Sequence, residues 1–190
     1  MSLTDLLVPS FTQMLHGLSA WLDKAAAHEA EAGGDAEALL SRRLAPDMYP
    51  LASQVRFVCF IALEPCYRLR GLPVPEELEE LRREGWNAGE NPGSISDAKA
   101  RIERALSLLA ALKPDALDGG DDLPIALVLP GGITFDMTGA QYVRDWTLPQ
   151  FYFHVTTAYA ILRNHGVALG KVDYVAHMLG YVRTGTMPQR

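Results

Sequence analysis

Cysteine is nearly absent from this 190-residue chain, with Cys59 and Cys66 its only two. Seven residues apart on a helix, they would stand two turns from one another on one face. By helix rise that is ~10 Å, beyond the reach of a disulfide. Unpaired thiols suit a reducing compartment, so the expected location is the cytoplasm. Long apolar runs are missing as well. No stretch approaches the ~20 residues that a membrane-crossing helix needs, and no membrane partner is expected. The opening Met1-Ser2-Leu3-Thr4-Asp5 lacks the basic start of a secretory signal. Positive charge is in deficit, 23 acidic residues against 17 basic for a net charge of −6. Such a surface carries no footprint for nucleic acid. There is no internal repeat and no low-complexity tract. Gly131-Gly132 follows a proline and leads into a β-branched run, which reads as a hairpin turn and not as a phosphate-cradling loop. No serine stands in a nucleophile-elbow pattern.

What the chain does have is apolar patterning. Hydrophobic residues make up 48%, far above a disordered composition, and residues 1–190 fit one domain with its own core. Ser2 and Asp5 have the spacing of a capping box. Leu7, Phe11, Met14, Leu18, Trp21 and Ala25 then recur in helical steps. The spacing predicts a helix to about Ala32, with Pro9 in its first turns and Gly33-Gly34 as its stop. Asp35 caps a short helix over 36–43 that turns Leu39, Leu40 and Leu44 inward. A second long helix runs over 50–70, its apolar face widened by Phe57, Phe60 and Ile61 and therefore expected to be deeply buried, with Pro65 near its centre as a kink. The acid-first, base-last segment 75–85 suits a short surface helix. Ser94 and Asp97 form another capping box, opening a third long helix that ends near Pro114. Residues 125–137 read as a β-hairpin about Pro130-Gly131-Gly132. A short helix follows over 140–146. Residues 148–166, the most aromatic segment, form the last long helix, which is apolar all round and therefore expected at the centre. Beyond it lies a tail with an apolar patch, Tyr174, Val175, Met178 and Leu179, and a polar end. The fold class expected is all-α, a four-helix bundle with crossover connections and one small hairpin.

Two segments carry a family resemblance. They are Arg43-Leu44-Ala45-Pro46-Asp47-Met48-Tyr49-Pro50-Leu51 and Leu148-Pro149-Gln150-Phe151-Tyr152-Phe153-His154-Val155-Thr156-Thr157-Ala158-Tyr159. With Asp97-Ala98-Lys99-Ala100-Arg101-Ile102 and Gly166-Val167-Ala168-Leu169-Gly170-Lys171, the chain is similar over nearly its whole length to an uncharacterised bacterial family. That family is the domain of unknown function numbered nineteen ninety-three. It resembles in turn the DinB/YfiT-like four-helix bundles, some of which are metal-dependent thiol transferases. The resemblance implies the DinB-like bundle. It does not carry the activity, because function rests on sites and not on folds.

The DinB-like pattern uses three histidines, one from the second helix and two spaced four apart on the last. Here His154 could be the first of that pair, but Ala158 stands four residues on. His165 is ~16 Å further along a straight helix, and the second helix offers Gln54 in place of a histidine. A transition metal wants several converging donors, so no metal and no cofactor is expected. His154 instead reads as a buried imidazole bonded to a carbonyl or to Gln54, or as part of a small pocket. His16, His28 and His177 read as surface residues, and His165 as a helix-end cap. Cys59 reads as buried and not as a nucleophile. Asp47, just ahead of Pro50, could cap the second helix. Alternatively Asp47, Tyr49, Gln54 and His154 could meet as a polar cluster in an apolar cavity, the usual form of a small-ligand site. Three functions stay open. The first is small-molecule binding near His154. The second is a metal-dependent transferase or hydrolase with an unusual ligand set. The third is a non-catalytic dimerisation module pairing through helix faces as a homodimer.

Overall fold

The computed structural model describes residues 2–186. Helix α1 is Leu3–Ala32, started by the Ser2 hydroxyl, which accepts from the Asp5 amide at 3.1 Å. A 3-10 turn, Ala36–Ser41, leads to α2, Leu51–Leu63. Pro65 then opens a separate short helix α3, Pro65–Arg68. Proline cannot supply the amide hydrogen that would continue the ladder, so the helix is interrupted at Glu64, which itself keeps helical dihedrals (φ −54, ψ −46). Helices α4, Glu76–Asn87, and α5, Ile95–Ala110, follow. Strands β1, Pro124–Val128, and β2, Thr134–Thr138, pair antiparallel with Ile125 opposite Met137 and Leu127 opposite Phe135. A single turn α6, Gly139–Gln141, and a π-helical turn, Tyr142–Thr147, run without interruption into α7, Leu148–Asn164. The tail holds α8, Lys171–Tyr174, and a 3-10 turn, Ala176–Tyr181. The proline-containing end foreseen for the tail, residues 187–190, lies outside the described residues.

The architecture is the all-α bundle with one small hairpin that the sequence led us to expect. Its centre is elsewhere. All residues of α2 are buried, Ser53, Gln54 and Arg56 included, and α2 packs against α1, α4, α5 and α7. Helix α7 keeps Phe153 57% exposed, so it is an outer stave and not the axis. Each large apolar side chain moved from water into this interior contributes ~1.5–3 kcal/mol, which is why the wholly apolar face sequence of α2 wins the central place. The predicted surface helix proves to be α4, lying directly on α2. A Cβ on Gly85 would meet the Phe57 ring at 2.6 Å, so only glycine permits that approach. The hairpin is anchored by the same device. Gly139 sits so close to Gly120 that a Cβ would lie 1.9 Å from the Gly120 carbonyl oxygen. Leu44, expected to face inward, is 41% exposed, because the 3-10 turn ends before it.

Candidate functional site

The N-terminal half of α2 and the first turns of α7 face each other, and their polar side chains meet there. Gln54, on the buried second turn of α2, donates from Nε2 to the Tyr49 carbonyl at 3.0 Å. That bond fixes the amide, leaving Oε1 to face α7. His154 Nδ1 lies 2.7 Å from Gln54 Oε1. A carboxamide oxygen only accepts, so Nδ1 carries the hydrogen and donates it. The ring is packed against Phe57 and Phe153, with centroids 5.0 and 5.2 Å away. Burial in this apolar frame pushes the imidazole down to about 4, and His154 is neutral near pH 7. A neutral ring protonated at Nδ1 has a bare lone pair on Nε2. That atom has no protein partner among the described residues, and it does not belong to the sealed polar atoms of the interior. It therefore meets solvent.

Tyr49 contributes through its backbone carbonyl, while its ring stands edge-on to Phe57 at 5.2 Å and is 46% exposed. Asp47 does not join the cluster. It is exposed, and it does not cap α2, whose N-cap Pro50 has no side-chain cap bond. Asp47 and Tyr49 instead line a surface cleft of ≈ 380 Å³ with Arg43, Trp86, Asn87 and Glu90. The tyrosine thus lines that cleft and touches Phe57, the ring against which His154 packs. Of the four candidates, the fold joins His154, Gln54 and Tyr49 through hydrogen bonds and leaves Asp47 exposed outside them.

The donor set does not fit a three-histidine metal centre. Gln54 occupies the α2 side of the contact and its oxygen is already engaged. Ala158, one turn beyond His154, is buried and has no donor. Among the described residues no group of three or more His, Cys, Asp or Glu converges as metal ligands. Both thiols are buried, and burial pushes Cys59 and Cys66 up to about 12, so neither is an activated nucleophile.

A second polar cluster was not apparent in the sequence. Glu64, at the α2–α3 break, accepts from Arg68 Nε at 2.8 Å and from the Tyr142 hydroxyl at 2.9 Å. Burial, and then the Glu64 charge, push Tyr142 well above its ordinary value. Partners 78 residues apart leave no local signal. Arg56 is a third buried polar group, clasping the carbonyls of Ala52 and Pro92 at 3.0 and 3.1 Å. His165 does end α7 as its C-cap residue. His16 is exposed and His177 partly exposed, as surface residues should be, and both line a ≈ 450 Å³ cleft with Trp21 and Tyr174.

The comparisons with known proteins agree with this architecture. A family model described as a domain of unknown function, DUF1993, matches residues 3–175. The crystal structure of a DinB family member protein from Shewanella denitrificans superposes with a TM-score of 0.72 at 29% identity, covering 99% of this chain and 94% of that one. No curated protein matches.

Proposed function

The chain belongs to the DUF1993 family, a DinB-like domain of unknown function, and on that footing we propose that it binds a small molecule at the α2–α7 face. His154 Nε2 receives a hydrogen bond from the ligand. Three rings, Phe57, Tyr49 and Phe153, form an aromatic frame for its body. The observation that carries this reading is the His154 Nε2 lone pair, left without a protein partner among the described residues at the end of a chain of bonds, Tyr49 carbonyl to Gln54 amide to His154. A directional acceptor that reaches solvent among aromatic rings is the pairing of polar point and apolar wall that small-ligand sites use. A neutral acceptor favours an uncharged ligand that offers a hydroxyl or N–H on an apolar or aromatic body. A carboxylate or phosphate finds no matching cation at this imidazole, which stays neutral down to about pH 4. Two buried, protonated thiols support a cytoplasmic location, and among the described residues no helix is long and apolar enough to cross a membrane.

A metal-dependent transferase is the weaker reading because Gln54 and Ala158 stand where donors would be required. Ligand-observed NMR with phenols and indoles, each beside its O- or N-methylated analogue, tests the proposal. The donor-bearing member of each pair is expected to bind the native protein and to bind at least ~10-fold more weakly to His154→Phe, the cost of about one hydrogen bond. Equal binding of methylated and unmethylated members, or no change in His154→Phe, would overturn it.

A further inference from the structure

The hairpin has one blunted edge and one open edge. Leu129 donates to Ile133, which fixes the alternation of the ladder. Residues 125, 127, 135 and 137 then bond across the hairpin, and residues 126, 128, 134 and 136 point their amides and carbonyls outward. On β1 the outer edge is spoiled. Pro124 has no amide hydrogen, and the Ala126 carbonyl receives the Arg68 guanidinium at 3.5 Å. On β2 the Thr138 amide is taken by its own capping box with Gln141. The outward groups of Thr134 and Asp136 have no partner among the described residues. The apolar face is incomplete in the same direction. Phe135 and Met137 share the core-facing side with Ile125 and Leu127, yet Phe135 is 44% exposed and the neighbouring Ile133 60% exposed, while Ile125 and Leu127 are buried. The sheet is one strand too narrow for its own apolar residues.

We propose that β2 pairs with β2 of a second copy of this chain, making a four-stranded antiparallel sheet across a two-fold axis at Phe135. The sequence of the strand selects that occupant and that register. With the axis at Phe135, Thr134 faces the partner's Asp136, and a hydroxyl can donate to a carboxylate at both ends. The two Phe135 rings meet at a non-hydrogen-bonded position, where opposed side chains lie ~5 Å apart. Moving the axis to Asp136 would set two carboxylates against each other and would call on the Thr138 amide that is already engaged. A two-fold interface is self-complementary by construction; an axis at Thr134 would call on the Gly132 amide, already bonded to Leu129, whereas the Phe135 register uses only unengaged groups. Four backbone bonds and one aromatic pair make a small interface, well under the area of a permanent dimer, so the association is concentration-dependent.

Sedimentation equilibrium over about a hundredfold range of concentration, up to ~1 mM, tests this together with amide exchange. The mass is expected to rise from 20.8 kDa toward twice that value, with the Thr134 and Asp136 amides becoming protected as it does. Thr134→Pro removes one outward donor and no bond within the hairpin. Phe135→Asp removes the aromatic pair and adds repulsion without touching the backbone. Each is expected to return the protein to a monomer, and the native β1–β2 amide protection of the variant shows that the hairpin remains formed. A native chain that stays monomeric throughout would overturn the pairing. So would a dimer that persists in both variants, because it would use another surface such as the helix faces.

Discussion

Helix α2 carries a polar cluster at each end, and the two are built to opposite purposes. At the C-terminal end both oxygens of Glu64 are occupied, one by Arg68 and one by Tyr142. At the N-terminal end Gln54 is held from both sides, donating to Tyr49 and accepting from His154, but His154 keeps Nε2 free. The first cluster is closed and ionic, and it ties the π-helical turn before α7 to the break after α2. The second is neutral and open by one acceptor. A buried ion pair with all its partners is a clasp whose removal is costly. A chain of neutral bonds with one lone pair left over has room for a ligand. Burial alone does not separate them, since both lie against the same core helix. The count of unused donors and acceptors does.

The sharpest way to break the contrast is at the closed end. Glu64→Ala leaves the buried Tyr142 hydroxyl without its acceptor and the half-buried Arg68 guanidinium without its ion partner, and a loss of ~2–3 kcal/mol in denaturant-measured stability is expected. A loss under ~1 kcal/mol would show that the clasp is not one.

The next effect is on pH. His154 is held near 4 in the folded chain against 6.5 as a free group. Between those values the unfolded chain binds the proton and the folded chain does not. Stability contributed by the neutral ring is therefore complete above pH 6.5 and falls as pH drops toward 4, by at most on the order of 3 kcal/mol. In His154→Phe that part of the acid dependence is expected to flatten, and superimposable profiles for the two proteins would contradict it. Smaller again is Gln54→Leu, which strands the Nδ1 hydrogen and the Tyr49 carbonyl. It should cost ~1–3 kcal/mol and free the ring to change tautomer, as imidazole nitrogen shifts would report. Asp47→Asn should do least, within ~0.5 kcal/mol, since Asp47 is exposed and caps nothing. A large loss there would restore Asp47 to the cluster.

Much of the fold was legible in the chain because its signals are local. Capping spacings at Ser2 and Ser94, the glycine stops, and the Pro130-Gly131-Gly132 turn each announce an element within a few residues. The deep burial of segment 51–63 was legible from Phe57, Phe60 and Ile61 widening its apolar face, but its place as the axis was not. The aromatic content of 148–166 suggested that segment, yet aromatic rings also suit a half-open face, as Phe153 shows. The quieter segment 51–63 is buried on every side. The pairing of Gln54 with His154 could be framed beforehand because each was the odd polar residue on an apolar helix. Tyr49 was named as a member of a polar side-chain cluster, but it bonds to Gln54 through its carbonyl, which no side-chain pattern reports. Glu64 with Tyr142 escaped notice because sequence holds no periodic trace of a contact between a helix break and a distant turn.

The most direct measurement is the nitrogen-15 spectrum of the His154 imidazole followed from pH 7 to pH 3.5. The expected result is an Nδ1–H tautomer with an unprotonated Nε2, neutral until about pH 4. A ring that carries its hydrogen on Nε2, or that takes up a proton near the ordinary histidine value, would contradict the free acceptor on which the proposed site depends.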